Sequence, residues 1–171
     1  MGPRASSGRH PVSAFASEQF HVITSARPER VWNALTATGF PLDYLHGMTV
    51  ESDWRPGARV TMAFTDQWRL TGEVLAAERP RRLSYTLDDP PGAPAVYVTW
   101  ELRGVDDGTI IRLHVDEPWP LADDTDDLET AWLPVLSGLV KHLERGSPGP
   151  DGTGTGRQED RRASPRNGGD R

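Results

Sequence analysis

Residues 132–146 read Trp132-Leu133-Pro134-Val135-Leu136-Ser137-Gly138-Leu139-Val140-Lys141-His142-Leu143-Glu144-Arg145-Gly146. From Leu128 onward, apolar residues recur at three- and four-residue spacing, which predicts a helix with one buried face. A second segment, Pro28-Glu29-Arg30-Val31-Trp32-Asn33-Ala34-Leu35, opens with a proline, a residue that suits the first turn of a helix. We therefore expect a short helix near the start of the chain and a long one near its end.

The sequence around these helices predicts an antiparallel sheet. Apolar and polar residues alternate in seven short segments, as is typical of half-buried strands. These segments are 18–24, 48–54, 60–64, 68–76, 83–87, 96–102 and 111–115. Local turns such as Asp106-Asp107-Gly108 favour a meander over a parallel, doubly wound sheet. We expect an α+β fold whose curved sheet wraps around the C-terminal helix and encloses a cavity, with a second short helix over Leu42–Leu45.

The two ends of the chain differ in composition from the middle. Residues 147–171 contain no Val, Ile, Leu, Met or aromatic residue, and residues 1–17 show little apolar periodicity. Such segments bury too little apolar surface to offset their chain entropy, so we expect both to be disordered. One folded domain remains, residues 18–146.

Composition excludes several classes of protein. The predicted domain carries 21 Asp and Glu against 12 Lys and Arg, and an acidic surface repels nucleic-acid phosphates and anionic membranes. The sequence has no cysteine, which removes disulfides, thiol nucleophiles and cysteine zinc sites. No apolar run approaches the roughly 20 residues of a membrane helix. We expect a cytoplasmic protein, and the preference for Arg over Lys indicates a bacterial source.

Several segments lie in an order typical of one superfamily. They are Ala26–Trp32, Gly72–Leu75, Pro80–Leu83, Val98–Leu102 with Gly108-Thr109, and Trp132–Gly146. Together they resemble the START-like helix-grip superfamily (SRPBCC), in the branch related to the C-terminal domain of the Hsp90 ATPase activator. The resemblance covers about residues 18–146 and rests on core and turn positions. The chain departs from the branch at Tyr44-Leu45-His46, where a Trp is frequent, and at Trp119.

The resemblance implies a seven-stranded antiparallel sheet that grips the C-terminal helix, with two short helices at one end. Relatives bind or transform apolar small molecules, among them lipids, plant hormones and aromatic polyketides. Others interact with a chaperone. A shared fold does not by itself decide between these functions.

Large aromatic residues are the best candidates for a ligand-binding wall. Each of the six tryptophans could instead fill the core, and both readings stay open. Trp68 and Trp132 are preferred as wall residues, because a mid-strand and the gripping helix face the cavity in this fold. Tyr85 is better phased than Tyr97 to offer a hydroxyl to a ligand. The predicted ligand-binding residues are Trp54, Trp68, Tyr85, Trp100, Trp132 and Leu136.

The polar residues form no catalytic or metal-binding motif. His114 and His21 are out of phase with their apolar neighbours, so we expect them to face solvent rather than act as general bases. Asp123–Asp127 lacks the Gly and Glu of a calcium loop and favours helix capping. Arg69, with Thr71 and Glu73, fits an exposed cross-strand pair better than a ligand carboxylate site. Since no nucleotide-binding, zinc-protease or nucleophile motif occurs, we predict no catalytic residue, no metal and no cofactor.

Three functions follow, led by a non-catalytic binding protein for a hydrophobic or aromatic small molecule. We expect it to be a monomer or homodimer with no nucleic-acid or membrane partner. The second is an enzyme resembling polyketide cyclases or aromatases, with Tyr85 or His114 as its acid–base group. The third is a stress-linked or chaperone-interacting protein. We expect no ATPase stimulation, because the residues before the domain are too few for the activator's separate N-terminal domain.

Overall fold

The structure is a computed structural model that describes residues 15–65, 68–88, 92–118 and 128–145. Within these ranges the chain forms strands, two α-helices and one turn of 3₁₀ helix. In chain order the elements are β1 (Phe15–Thr24), α1 (Pro28–Leu35), β2 (Pro41–Leu42), the 3₁₀ turn (Asp43–Leu45), β3 (Met48–Glu51), β4 (Arg59–Thr65), β5 (Trp68–Glu78), β6 (Arg82–Leu87), β7 (Val96–Val105), β8 (Gly108–Pro118) and α2 (Leu128–Arg145).

The strands form one antiparallel sheet in the order β1-β8-β7-β6-β5-β4-β3-β2. From β2 to β8 each strand pairs with its neighbours in the sequence, as the predicted meander requires. The sheet ends on one side with β1, which pairs with β8 from Phe15 opposite Pro118 to Thr24 opposite Thr109. The described residues give eight strands where the resemblance implied seven. The additional strand is β2, whose two residues are too short to show the alternation that predicts a strand.

The sheet curls into a half-barrel, and the main pairing of β5 shifts along its length from β4 to β6. Its first half, up to Glu73, pairs with β4, and its second half, from Val74, pairs with β6. At the junction an ideal Cβ on Gly72 would lie 1.8 Å from the carbonyl oxygen of Thr86, so only glycine permits this approach. A register shift between Val74 and Ala76 follows. Such bulges bend a strand and increase its twist.

Helix α2 packs against β1 and the 3₁₀ turn. The residues it buries lie on the predicted stripe and are Val135, Leu136, Leu139 and Leu143. At Gly138 the helix comes close to the 3₁₀ turn, since an ideal Cβ there would lie 3.0 Å from Cα of Tyr44. Pro134 lies inside the helix. Its missing N–H removes one backbone hydrogen bond from the turn that carries Trp132.

Some boundaries differ from the sequence prediction. Strand β1 begins at Phe15 rather than Glu18, because its pairing with β8 continues that far. The short helix expected over Leu42–Leu45 is instead one residue of β2 followed by the 3₁₀ turn.

Trp119 and Asp123–Asp127 lie outside the described residues. In the parts of the chain that the structure does describe, no helix is long and apolar enough to cross a bilayer. Within the same ranges, no three His, Asp or Glu side chains come together as a metal site would require.

Candidate ligand-binding site

Four predicted site residues are linked in space, and we call Trp54, Tyr85, Trp100 and Trp132 the aromatic series. The rings of Trp54 and Tyr85 meet edge to face, with centroids 5.8 Å apart. Nε1 of Trp100 donates a hydrogen bond to Oη of Tyr85 over 3.2 Å. The rings of Trp100 and Trp132 again meet edge to face at 6.4 Å. The series therefore runs from the loop after β3, across β6 and β7, to the first turns of α2.

Strand alternation places the middle of the series on the inner face of the sheet. Tyr85 pairs with Val98 and Leu83 pairs with Trp100, so the two aromatic residues are diagonal neighbours on adjacent strands. Tyr85 and Trp100 are buried, with 4% and 1% of their surface exposed. Leu136, also predicted for the site, is buried on α2 one turn after Trp132.

Both ends of the aromatic series are partly accessible. Trp54 and Trp132 are half-buried and pack against the hydrophobic core without belonging fully to it. A half-buried aromatic ring beside buried ones offers an apolar surface that a ligand could reach. The aromatic series therefore has a buried centre, Tyr85 and Trp100, and two partly accessible ends, Trp54 and Trp132.

Trp54 has two unusual features that its sequence did not reveal. Because β3 ends at Glu51, Trp54 lies outside the strand in which the alternation placed it, and its φ of 49° is in the left-handed region. A bulky residue rarely adopts this conformation. Its backbone N–H donates to Oγ of Ser52 over 3.1 Å. Its indole Nε1 is buried and has no hydrogen-bond partner among the described residues.

Tyr85 is held in its neutral form. Burial raises the pKa of its phenol to about 12, an effect that the hydrogen bond from Trp100 opposes. A buried hydroxyl that keeps its proton acts as a hydrogen-bond donor or acceptor and does not serve as a base at neutral pH. The part of Tyr85 in any chemistry is therefore to bind or orient a group.

Trp68 does not join the aromatic series. It is the first residue of β5, at the rim of the sheet, and 41% of its surface is exposed. Alternation with Leu70 correctly places it on a strand, but the alternation does not show how far the covering elements reach. Tyr97, the weaker of the two tyrosine candidates, is also exposed.

The remaining polar candidates lie away from the aromatic series. His114 alternates with the buried Leu113 and Val115, and its Nε2 lies 3.7 Å from a carboxylate oxygen of Glu101 on the outer face of the sheet. Arg69 is exposed as expected, but it stands opposite Ala63, whereas Arg59 stands opposite Glu73. The charged cross-strand neighbours on this part of the sheet are thus Arg59 and Glu73, while Arg69 faces the small side chain of Ala63.

Solved structures with the same fold come from several bacteria. Protein MLL2253 of Mesorhizobium loti matches with a TM-score of 0.65 and 25% identity, over 78% of this chain and 100% of that one. The Aha1 dimer of Colwellia psychrerythraea matches with a TM-score of 0.65 and 17% identity, over 78% and 99%. DynU16, a protein of the dynemicin biosynthetic locus, matches with a TM-score of 0.65 and 23% identity, over 77% of this chain but only 48% of DynU16. No curated protein matches the sequence at a significant level.

One family model matches most of the chain. Its description is Activator of Hsp90 ATPase homolog 1-like protein, and it matches residues 25–144. The match runs from just before α1 almost to the end of α2. It agrees with the helix-grip fold and with the branch that the sequence landmarks predicted. This chain therefore belongs to the family of Activator of Hsp90 ATPase homolog 1-like proteins.

Proposed function

We propose that this protein binds an apolar or aromatic small molecule on the aromatic series and does not transform it. The observation that carries the proposal is the series itself, which joins buried Tyr85 and Trp100 to half-buried Trp54 and Trp132. Small-molecule sites are lined mainly by apolar and aromatic side chains with a few polar groups. The series has this composition, with one hydroxyl and three indole N–H groups.

The positions of the acid–base candidates support binding over catalysis. A general base has to reach the proton it removes. Tyr85 keeps its proton because burial raises its pKa to about 12, and His114 lies on the opposite face of the sheet beside Glu101. A cyclase-like reaction is the alternative, and it would depend on Tyr85 to orient a substrate oxygen. The likeness to DynU16, from a biosynthetic locus, supports a link to small molecules in either case.

Contact with a chaperone is a second candidate function, favoured by the description of the family. A homodimer is likewise supported by the Aha1 dimer among the similar structures. A pull-down with the tagged full chain would test the first, and recovery of Hsp90 at a one-to-one ratio would favour this function over ligand binding. Sedimentation of the untagged chain would test the second.

The test of ligand binding uses the full chain and the neutral fluorescent probe N-phenyl-1-naphthylamine. We expect saturable binding, and we expect Trp132→Ala to weaken it roughly tenfold through lost aromatic contact. Trp68→Ala is the matched control, because Trp68 is a partly exposed tryptophan outside the series. Native mass spectrometry of the protein from its own host would show whether a molecule is retained. Equal probe binding by both variants, or none by the unaltered protein, would overturn the proposal.

A further inference from the structure

The unpaired indole N–H of Trp54 is the starting point. Nε1 of this residue is buried, and no acceptor for it exists among the described residues. Buried donors are nearly always paired in native proteins, so an unpaired one calls for a specific explanation. Trp54 is also held at a φ of 49°, and strained backbone of this kind is concentrated at ligand-binding positions. Both features favour a partner that comes from outside the chain.

The hydroxyl of Tyr85 is a second donor beside the first. Its oxygen accepts a hydrogen bond from Nε1 of Trp100, and within the described residues its own proton has no acceptor. The ring of Tyr85 lies 5.8 Å from that of Trp54, centroid to centroid. Two neighbouring side chains of the aromatic series thus each carry a hydrogen that the protein does not use.

The character of these donors selects the chemistry of the ligand. Both are uncharged, and a charged ligand atom would lose its hydration there without meeting an opposite charge. A carboxylate or phosphate is therefore disfavoured. A carbonyl oxygen is neutral and has two lone pairs, so it can accept hydrogen bonds from two donors at once. An attached aromatic ring system would match the apolar faces of the series.

We propose that the ligand is an aromatic ketone or quinone whose carbonyl oxygen accepts hydrogen bonds from Nε1 of Trp54 and Oη of Tyr85. This inference rests on the proposed function, because it assigns a ligand class to the same site. Trp54 and Tyr85 then determine specificity, whereas the rest of the series supplies apolar contact.

The experiment compares 9-fluorenone with fluorene, which has the same three rings but a methylene group in place of the carbonyl. Binding to the full chain is followed by quenching of tryptophan fluorescence. Each hydrogen bond should favour fluorenone by roughly five- to tenfold, so we expect a clear preference for fluorenone in the unaltered protein. Trp54→Phe and Tyr85→Phe should each reduce the ratio of fluorenone affinity to fluorene affinity several-fold, and this ratio is the readout because both variants also alter the apolar surface that fluorene contacts. Trp68→Phe, the matched control, should keep it.

The possible results separate this inference from the proposed function. Equal binding of fluorenone and fluorene would overturn the inference and leave the proposed function standing. Binding of neither would overturn both. A readout that needs no variant is the infrared carbonyl stretch of bound fluorenone. Two hydrogen bonds should move it to lower frequency than in hexane, and an unshifted band would overturn the inference even if the variants failed to fold.

Discussion

The close approach of β5 to β6 at Gly72 predicts a large effect for Gly72→Ala. An ideal Cβ at this position would lie 1.8 Å from the carbonyl oxygen and 2.5 Å from the carbonyl carbon of Thr86. Both atoms belong to the backbone of β6, so no side-chain rotation can relieve the overlap. The two strands would have to separate by more than 1 Å, judged against ordinary contact at 3.4 Å or more. That movement would also stretch the 3.0 Å hydrogen bond from N of Glu73 to Oγ1 of Thr86.

The size of the effect follows from three contributions. Overpacking of this kind costs up to about 3 kcal/mol. Loss of the hydrogen bond adds about 1 kcal/mol. Alanine lowers the conformational entropy of the unfolded chain relative to glycine, and this stabilises the folded state by roughly 0.4–1 kcal/mol. We expect the free energy of unfolding to fall by about 3 kcal/mol.

Urea denaturation followed by circular dichroism measures this change. Gly57→Ala is the control, since Gly57 has a φ of 83° and no other atom would lie within 4 Å of an added Cβ. Its cost is backbone strain alone, about 1–2 kcal/mol. If Gly72→Ala lost no more stability than Gly57→Ala, the curl of the sheet would not depend on the approach of β5 to β6.

Three further predictions concern the buried interior. Tyr85→Phe removes the acceptor of the Trp100 N–H and should lower the free energy of unfolding by about 1–3 kcal/mol, measured by urea denaturation. The double variant Tyr85→Phe with Trp100→Phe should lose less stability than the sum of the two single losses, because the two residues share one hydrogen bond. Burial raises the pKa values of Tyr44 and Tyr85 in the folded state, so their contribution to stability is complete below pH 10. Above pH 10 the unfolded chain loses these protons first, so the free energy of unfolding should fall by up to about 1.4 kcal/mol per pH unit for each tyrosine. Denaturation measured at several pH values gives this slope. Tyr44→Phe should reduce it, because one of the two tyrosines is removed. Leu139→Ala should cost about 2–5 kcal/mol because Leu139 is fully buried on α2, whereas Leu133→Ala, on the exposed side, should cost less than about 1 kcal/mol by thermal denaturation.

The periodicity of the sequence was sufficient to predict most of the fold. Alternation found seven strands and the helical stripe found α2, because each element buries one face along many residues. Strand β2 was not predicted, because two residues are too few to show an alternation of apolar and polar side chains. Gly72 reads as an ordinary strand position in the sequence, and its role depends on Thr86 in the next strand. No local pattern encodes that distance.

The candidate site was predictable to a smaller degree. Tyr85 and Trp100 lie on the inner face, as their phase in β6 and β7 predicted. The exposure of Trp68 was not predictable, because alternation gives the face of a residue and not the extent of the elements that cover it. The left-handed backbone of Trp54 and its unpaired N–H follow from tertiary contacts. Whether these residues bind a ligand stays a prediction.

The pairing of β1 with β8 has a consequence for synthesis on the ribosome. Strand β1 pairs with β8 (Gly108–Pro118), and its first residue, Phe15, is separated from its partner Pro118 by about a hundred residues of sequence. Contacts so distant in sequence slow folding, because a long loop has to close before they form. While β2 to β7 can pair in order as they emerge, β1 has no strand partner on either edge until β8 has been made. The nascent chain therefore keeps an open strand edge until late in translation, when chaperones that shield such edges would matter most.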